Sequence, residues 1–332
     1  KTENMSNKCK LCKENELENV GSHIFTESII RTALNQEGFT KRVEKEIIFE
    51  ISVEKVGLDY FGMGVQPEKV EEITGEPISE EQIAENKNPF INRNLVCRQC
   101  EKRFGPIEST FAVNIYSKIV KKTNEELEKD SCNFISFKNE KWLALQFTII
   151  NIWRASASEY DNWKLIPEQE EYLRSFILKT ASDDIDSIIN KTSEYREEIK
   201  EFHFALNYFI QESENLTENG VLIDNSKEPF FILLNRLSII FDFKPINETK
   251  LPELLLDIIN ENITCIISNP NENELRIGIN SDKQRKELFN RIAVKLARQI
   301  IEKFNSTFLE LHRRFFGFYP PQSSANLYSE TM

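Results

Sequence analysis

The stretch NLVCRQCEKRF, residues 94–104, contains a Cys-x-x-Cys step that indicates how the N-terminal part of the chain folds. A second step, CKLC, lies at residues 9–12. Each step supplies two thiolates at the spacing of a tetrahedral metal site, so two steps complete a four-thiolate zinc centre, with an insertion between them that leaves the site and returns. The alternative is that the cysteines are redox-active or unrelated buried residues. The predicted zinc ligands are Cys9, Cys12, Cys97 and Cys100.

The composition limits the class of protein. Hydrophobic residues make up 40% of the 332 residues and aromatic residues 11%, which is typical of a folded globular chain. Glycine occurs only 10 times, and no glycine-rich phosphate loop is present. The residues KTEN before Met5 are typical of a tag or linker remnant, so we expect Met5 to be the natural start. We also expect a cytoplasmic protein with reduced cysteines, because four cysteines form Cys-x-x-Cys pairs and neither a signal peptide nor a membrane-spanning apolar stretch is visible.

The charge bears on the partners that the protein can bind. The formal net charge is −12, which counts against a stand-alone, high-affinity nucleic-acid binder. A local basic patch remains compatible with that charge. The basic residues nearest the second cysteine pair are Arg98, Lys102, Arg103 and Lys118. They are the predicted contacts for a nucleic-acid backbone.

Hydrophobic periodicity predicts a mixture of helices and strands. A hairpin is expected over 42–65, an exposed connection over 67–90, and a helix beginning at Pro106 over 106–129. The segment 140–156 carries charge only near its ends, so we predict a central helix. Its predicted buried residues are Trp142, Leu145, Phe147, Ile149 and Ile150. The other predicted helices are 26–38, 167–181, 182–211 and 281–316.

Strands are expected mainly in the second half of the chain. The segment 229–243 predicts two strands around a turn at Asn235 and Arg236, because Asn tolerates positive φ. A strand is also expected over 220–225, and a hairpin over 262–268 and 273–280. The fold class is therefore α+β.

The two domains predicted from this pattern differ in their main element. Residues 5–120 are expected to form a zinc-binding domain with an inserted helix and hairpin. Residues 121–332 are expected to form a mainly helical domain with a small antiparallel sheet and a long C-terminal helix.

The order CKLC, SHIF, NRNLVCRQCE resembles the zinc-stapled branch of the HNH nucleases, over roughly residues 5 to 110. The resemblance implies a treble-clef or ββα-metal fold in which the two cysteine pairs hold a structural zinc. It also implies endonuclease activity on phosphodiesters, with a histidine as general base and a divalent cation, Mg²⁺ or Mn²⁺. By analogy with where such fusions occur, it implies a prokaryotic host and a role in anti-phage defence.

Residue by residue, the resemblance assigns His23 as the general base. Either Asn92 or Asn94 matches the asparagine that orients the active-site loop, and Glu101 lies where the family usually has a metal-binding histidine. Ser22 replaces the acidic residue that commonly precedes the base. Because seven residues make about two helical turns, Glu108 can lie on the same side of the helix as Glu101. It can then replace the acidic metal ligand that is missing at Ser22.

Each catalytic assignment has a structural alternative. His23 can instead be a structural residue that hydrogen-bonds the knuckle or ligates zinc. Glu101 and Glu108 can instead lie on a solvated helix face or in salt bridges. Three functions remain open: a nuclease that cleaves DNA, a nuclease or toxin that cleaves RNA, and a non-catalytic zinc-stapled module that binds protein in a larger complex. Of the two nucleic acids, DNA is the expected substrate.

Overall fold

The chain folds into helices and sheets, which confirms the α+β class. The computed structural model describes residues 7–18, 21–34, 47–51, 56–61, 90–121, 134–160, 163–210, 221–224, 229–244, 266–268 and 273–288. The described elements of the N-terminal part are β1 (Ser22–His23), α1 (Glu27–Leu34), β2 (Ile47–Ile51), β3 (Val56–Phe61), β4 (Ile91–Asn92), α2 (Arg98–Phe111), a π-helix (Ala112–Tyr116) and α3 (Ser117–Lys121).

The later elements form a helical layer and one larger sheet. They are β5 (Phe134–Lys138), α4 (Lys141–Ser158), α5 (Pro167–Thr180), α6 (Ile185–Glu194), β6 (His203–Phe209), β7 (Val221–Asp224), β8 (Phe230–Leu234), β9 (Leu237–Asp242) and β10 (Glu274–Asn280). A last helix, α7, begins at Asp282 and is described over 282–288. The predicted division into 5–120 and 121–332 stays a prediction.

Two small strand pairs belong to the N-terminal part. β2 pairs antiparallel with β3, which confirms the hairpin predicted within 42–65. β1 pairs antiparallel with β4, so that Ser22 lies opposite Asn92 and His23 opposite Ile91. Gly21 precedes β1, and a Cβ atom there would lie 3.0 Å from Cγ2 of Ile91, so glycine allows the strands to approach closely.

The large sheet has six strands in the order β5-β10-β6-β9-β8-β7. The sheet is mixed rather than purely antiparallel as predicted, because β10 runs parallel to β6. All described residues of β8 and β9 are buried, which explains why their sequences are continuous apolar runs. The predicted turn is confirmed at Asn235, where φ is 59°.

One predicted element is wrong because tertiary pairing decides the outcome. The segment 203–209 was expected to be helical, but it forms strand β6 between β9 and β10. Of the hairpin predicted over 262–268 and 273–280, residues 262–265 lie outside the described ranges, and within those ranges β10 pairs with β5 and β6. Ser268 instead donates its backbone N–H to the carbonyl of Phe204.

Helix α2 also begins earlier than predicted. It starts at Arg98, directly after Cys97, and Pro106 lies in its interior. The turn of the second cysteine pair leads straight into the helix, since the N–H of Glu101 already bonds the carbonyl of Cys97 at 3.0 Å. A proline there removes one helical hydrogen bond but does not end the helix.

Helix α4 is the centre of the core, as its sequence predicts. Leu145, Phe147, Ile149 and Ile150 are buried, whereas Trp142 is only partly buried. The ring of Phe147 stacks on that of Phe111 with centroids 3.7 Å apart, which joins α4 to α2. Among the residues that the structure describes, none of the helices combines the length and apolarity that crossing a bilayer requires.

Several predictions fall on residues outside the described ranges. These are the connection over 67–90, apart from Phe90, and most of the C-terminal helix 281–316. The start of the C-terminal helix is described, and the hydroxyl of Ser281 accepts the N–H of Gln284 at 3.2 Å. Ser281 is therefore the N-cap of α7.

Candidate metal centre and the adjacent polar cluster

The first cysteine pair lies on a tight backbone turn. The N–H of Lys13 bonds the carbonyl of Cys9 at 2.9 Å, and the N–H of Cys9 bonds the carbonyl of Asn15 at 2.9 Å. Lys13 adopts a left-handed conformation with φ of 62°. The N–H of Cys12 points back to Sγ of Cys9 at 3.4 Å. This turn brings both thiols to one side of the chain.

The second pair meets the first at the start of helix α2. The N–H of Lys10 bonds the carbonyl of Leu95 at 3.0 Å, which connects the two turns through the backbone. All four Sγ atoms lie within 4.8 Å of one another. We call these residues, Cys9, Cys12, Cys97 and Cys100, the cysteine cluster.

The cysteine cluster fits a metal ion such as zinc. Tetrahedral zinc with thiolate bonds of about 2.3 Å places the sulfur atoms roughly 3.8 Å apart, so small side-chain rotations suffice. Cys9, Cys97 and Cys100 are buried and Cys12 is partly exposed. The side-chain amide of Asn15 donates through Nδ2 to Sγ of Cys97 at 3.5 Å, as expected for a residue that supports a thiolate ligand.

The thiols influence one another strongly. A hydrogen bond from Cys100 lowers the pKa of Cys9 to about 4, with help from backbone N–H groups. The same hydrogen bond, together with burial, raises the pKa of Cys100. Four close thiols therefore do not all ionise by themselves, and a bound cation supplies the charge that makes four thiolates compatible.

Basic side chains attach the first cysteine turn to the helical layer. Nζ of Lys10 donates to the carbonyl of Ala157 at 2.5 Å, near the end of α4. Arg174 on α5 donates to the carbonyl of Leu11, and its positive charge is stabilised mainly by Glu171, with smaller contributions from Cys12 and Cys9. The cluster is thus fixed both to α2 and to the helices that follow.

His23 lies on β1 with a half-buried side chain. Its Nε2 is 3.6 Å from Oε2 of Glu27, the first residue of α1, and the two side chains are 21% and 24% exposed. On the neighbouring strand, Oδ1 of Asn92 accepts the backbone N–H of Asn94 at 2.8 Å. Asn92 therefore shapes the loop before the second cysteine pair, whereas the Asn94 side chain is exposed.

A group of polar side chains connects β1 and the residue before α1 to helices α2 and α4. The hydroxyl of Ser22 donates to Oε2 of Glu101 at 2.5 Å, and the hydroxyl of Thr26 donates to Oε1 of Glu108 at 2.9 Å. Arg154 on α4 forms an ion pair with the same oxygen of Glu108. We call this group the polar cluster: Ser22, Thr26, Glu101, Glu108, Asn151 and Arg154.

Electrostatics distinguish the two carboxylates of the polar cluster. Burial raises the pKa of Glu101, and the negative charge of Glu108 adds to that effect. The hydrogen bond from Ser22 and the positive charge of Arg154 oppose the shift. Glu101 and Glu108 are therefore close enough to interact, as their seven-residue spacing predicts.

The predicted nucleic-acid contacts lie along α2 and α3. Arg98 is exposed and pairs with Glu18 at 3.4 Å. Lys102 is exposed and Arg103 is partly buried. Lys118 lines a cavity of roughly 340 Å³ together with Ser136 and Lys138. Three of the four predicted contacts, Arg98, Lys102 and Lys118, are therefore exposed to solvent.

Two residues of this region, Glu27 and Asn151, were not predicted as site residues from the sequence. Glu27 follows His23 by four positions and starts α1, so its spacing was a usable signal. Asn151 comes from α4, 125 positions from its partner Thr26, and nothing in its local sequence indicates that contact. An arginine in an apolar helix is expected to pair with an internal Asp or Glu, and the partner of Arg154 is Glu108, 46 positions away.

Comparisons with known proteins identify no relative. No protein-family model, no curated protein and no solved structure matches this chain. The resemblance to HNH nucleases therefore rests on the residues themselves. The structure itself shows four cysteines close enough to hold a metal ion, followed by a helix, α2, that carries two partly buried carboxylates, Glu101 and Glu108.

Proposed function

We propose that this protein is an HNH-like endonuclease that hydrolyses DNA phosphodiesters with His23 as its general base. The observation that carries the proposal is the position of His23, partly exposed on a short strand pair directly beside the helix that follows the second cysteine pair. Strand pair, helix and cysteine cluster occur together in the order that the resemblance implies. A free imidazole has a pKa near neutrality, which suits proton abstraction from water.

Glu27 supports this role for His23. A carboxylate beside an imidazole orients the ring and stabilises the charge that the ring acquires when it takes a proton. The distance of 3.6 Å between Nε2 and Oε2 is long for a direct hydrogen bond but short enough for charge stabilisation. Glu27 compensates in part for Ser22, which replaces the acidic residue preceding the base in the family.

Zinc in the cysteine cluster has a structural role in this proposal. Four thiolates fill a tetrahedral zinc ion and leave no position for water or substrate. The ion, when bound, supplies folding free energy rather than a nucleophile. Hydrolysis is therefore assigned to the region of His23 and not to the cysteine cluster.

The predicted Mg²⁺ or Mn²⁺ site at Glu101 and Glu108 fits the polar cluster poorly. Carboxylate oxygens are suitable ligands for either ion. However, Oε1 of Glu108 already binds Arg154 and Thr26, and Oε2 of Glu101 already accepts from Ser22. The proposal therefore assigns no catalytic cation to Glu101 and Glu108.

DNA is the proposed substrate, with Arg98, Lys102, Arg103 and Lys118 as the proposed backbone contacts. The net charge of −12 makes a local basic rim, or a partner protein that binds DNA, a requirement of this proposal. Defence of a prokaryotic cell against phage is the role proposed by analogy.

The test is a cleavage assay on plasmid DNA and on RNA with Mg²⁺ and with Mn²⁺. His23→Ala is expected to lower the rate roughly 10²–10⁴-fold, the usual range for a lost acid–base group. The matched control is His203→Ala, which removes a partly buried histidine on β6. Zinc content and melting temperature should match those of the parent for His23→Ala. Equal cleavage by parent and His23→Ala would refute the proposal, and cleavage of RNA alone would change the substrate.

A zinc-stapled protein-interaction module is the second candidate function. It is favoured by two apolar side chains exposed on the surface near α3, Val113 at 64% and Val120 at 46%. A contiguous exposed apolar patch marks contact with another protein, and the two valines, seven positions apart in one continuous helical segment, are the side chains that would form it. Absence of cleavage of either nucleic acid, together with reduced partner binding by Val113→Ser, would favour this function.

A further inference from the structure

Arg154 is buried at the interface between α4 and α2. Its side chain is fully inaccessible, it pairs with Glu108, and its guanidinium lies 5.1 Å over the ring of Phe104. Nε and Nη1 have no hydrogen-bond partner among the described residues. A buried charge is unfavourable unless it is well paired, and an apolar residue would fill the same volume without that cost. Packing alone therefore does not account for a guanidinium at this position.

The carboxylates near Arg154 each hold a residue next to His23. Glu101 accepts from Ser22, which directly precedes His23, at 2.5 Å. Glu108 accepts from Thr26, three positions after His23, at 2.9 Å. The charge of Arg154 also acts on Glu101. The short segment 22–26 is thus held on both sides of His23 by carboxylates that one guanidinium stabilises.

Asn151 adds a third contact from the same helix. It lies three positions before Arg154, and residues at this spacing share one face of a helix. Its Oδ1 accepts the backbone N–H of Thr26 at 3.0 Å, and its Nδ2 donates to the carbonyl of Phe147 at 2.8 Å. The central helix therefore fixes both the backbone and the hydroxyl of Thr26, the residue that directly precedes α1.

We propose that Arg154 takes the place of a divalent cation in balancing the Glu101–Glu108 pair, and that it is a positioning residue for His23. This inference rests on the proposed function for the meaning of His23, but not for the state of the carboxylates. Glu108 and Asn151 act on His23 through Thr26, and Glu101 acts through Ser22, while Arg154 stabilises both carboxylates. The nuclease site, in this account, is incomplete without the helix α4 that lies outside the HNH-like segment.

The first experiment measures Mn²⁺ binding to the zinc-loaded full chain by electron paramagnetic resonance. The parent and Glu108→Gln are expected to bind Mn²⁺ equally, because Glu108 is engaged by Arg154. Loss in Glu108→Gln of a Mn²⁺ site that the parent possesses would overturn the inference. This readout does not depend on cleavage, so it is informative even if the proposed function fails.

The second experiment observes the His23 ring by NMR. The sequence contains only three histidines, so the His23 signal is assigned by its absence from His23→Gln. Arg154→Met is expected to shift or broaden the His23 signal and to leave His203 unchanged, while Arg154→Lys restores part of the parent spectrum. An unchanged His23 signal in a folded Arg154→Met protein would refute positioning.

A double variant keeps the test decisive if Arg154→Met folds poorly. Arg154→Met with Glu108→Gln removes both charges, so the melting temperature is expected to recover relative to Arg154→Met alone. The His23 signal should remain perturbed in the double variant, because the guanidinium is still absent and Thr26 has also lost its charged partner, Glu108. Recovery of both the melting temperature and the parent His23 signal would show a purely structural pair.

Kinetics complete the test if the parent cleaves DNA. Arg154→Met is expected to lower kcat on the order of 10²-fold with little change in KM, the result of a misplaced catalytic group rather than weaker binding. A rise in KM at constant kcat would contradict positioning. A parent without cleavage would refute the proposed function and leave the Mn²⁺ and NMR results to decide the inference.

Discussion

The cysteine cluster and the polar cluster both hold the N-terminal segment against the helices, but they do so with different chemistry. The cysteine cluster draws its donors from two short turns and can gather them around one metal ion. The members of the polar cluster come from β1, from Thr26 just before α1, and from helices α2 and α4. Its hydrogen bonds form only when all of these elements are packed together. A metal centre concentrates stability at one point, whereas a buried hydrogen-bond network spreads it over several side chains.

Loss of a cysteine ligand is expected to have the largest effect. Cys97→Ser should abolish zinc binding and unfold residues around both cysteine turns, because structural zinc contributes folding free energy directly. Elemental analysis should find one zinc ion per parent chain and none in the variant. Parent protein purified without chelator that contains no zinc would contradict the metal assignment.

Glu108→Ala is expected to cost less than the loss of zinc but more than an ordinary surface change. It leaves the buried Arg154 without its ion-pair partner, which typically lowers the free energy of unfolding by about 3–5 kcal/mol. The matched control is Glu18→Ala, which removes an exposed pair with Arg98 and should cost less than about 1 kcal/mol. Urea denaturation measures both, and equal losses would show that burial of Arg154 does not matter.

Ser22→Ala tests one hydrogen bond of the polar cluster. The variant leaves the half-buried carboxylate of Glu101 without its donor, so a loss of about 1–3 kcal/mol is expected. Ser109→Ala is the control, because the exposed Ser109 hydroxyl bonds only a carbonyl of its own helix and its loss should change stability by less than about 0.5 kcal/mol. A Ser22→Ala protein as stable as the parent would show that the Ser22–Glu101 hydrogen bond contributes little to the free energy of unfolding.

Lys13→Gly should have the smallest effect and the opposite sign. Lys13 has φ of 62°, a conformation that glycine adopts without strain, so the free energy of unfolding should rise by up to about 1 kcal/mol. The variant also loses an exposed pair with Glu171. Lys13→Ala loses that pair but keeps a Cβ atom, so the difference between the two variants isolates the backbone effect. A less stable Lys13→Gly protein would contradict it.

Local signals in the sequence were sufficient for several elements. The apolar run 140–156 predicted the central helix, and Asn235 predicted the turn between β8 and β9, because each depends on residues close in the chain. Segment 203–209 was predicted wrongly as part of a helix. Its strand form depends on pairing with β9 and β10, which lie far along the sequence.

The sequence by itself determined the cysteine cluster, since the spacing within each Cys-x-x-Cys step fixes two ligands on one turn and four thiols have one obvious way to combine. It also determined that Glu101 and Glu108 share one side of a helix, because that follows from helical repeat alone. It did not determine what those carboxylates bind.

Only the tertiary structure decided that Glu108 pairs with Arg154 and that Thr26 meets Asn151. These partners lie 46 and 125 positions apart in the chain, and the packing of α4 against α2 and the start of α1 brings them together. A buried charge selects whichever opposite charge the packed core places beside it, and that choice depends on the arrangement of whole elements rather than on any local pattern.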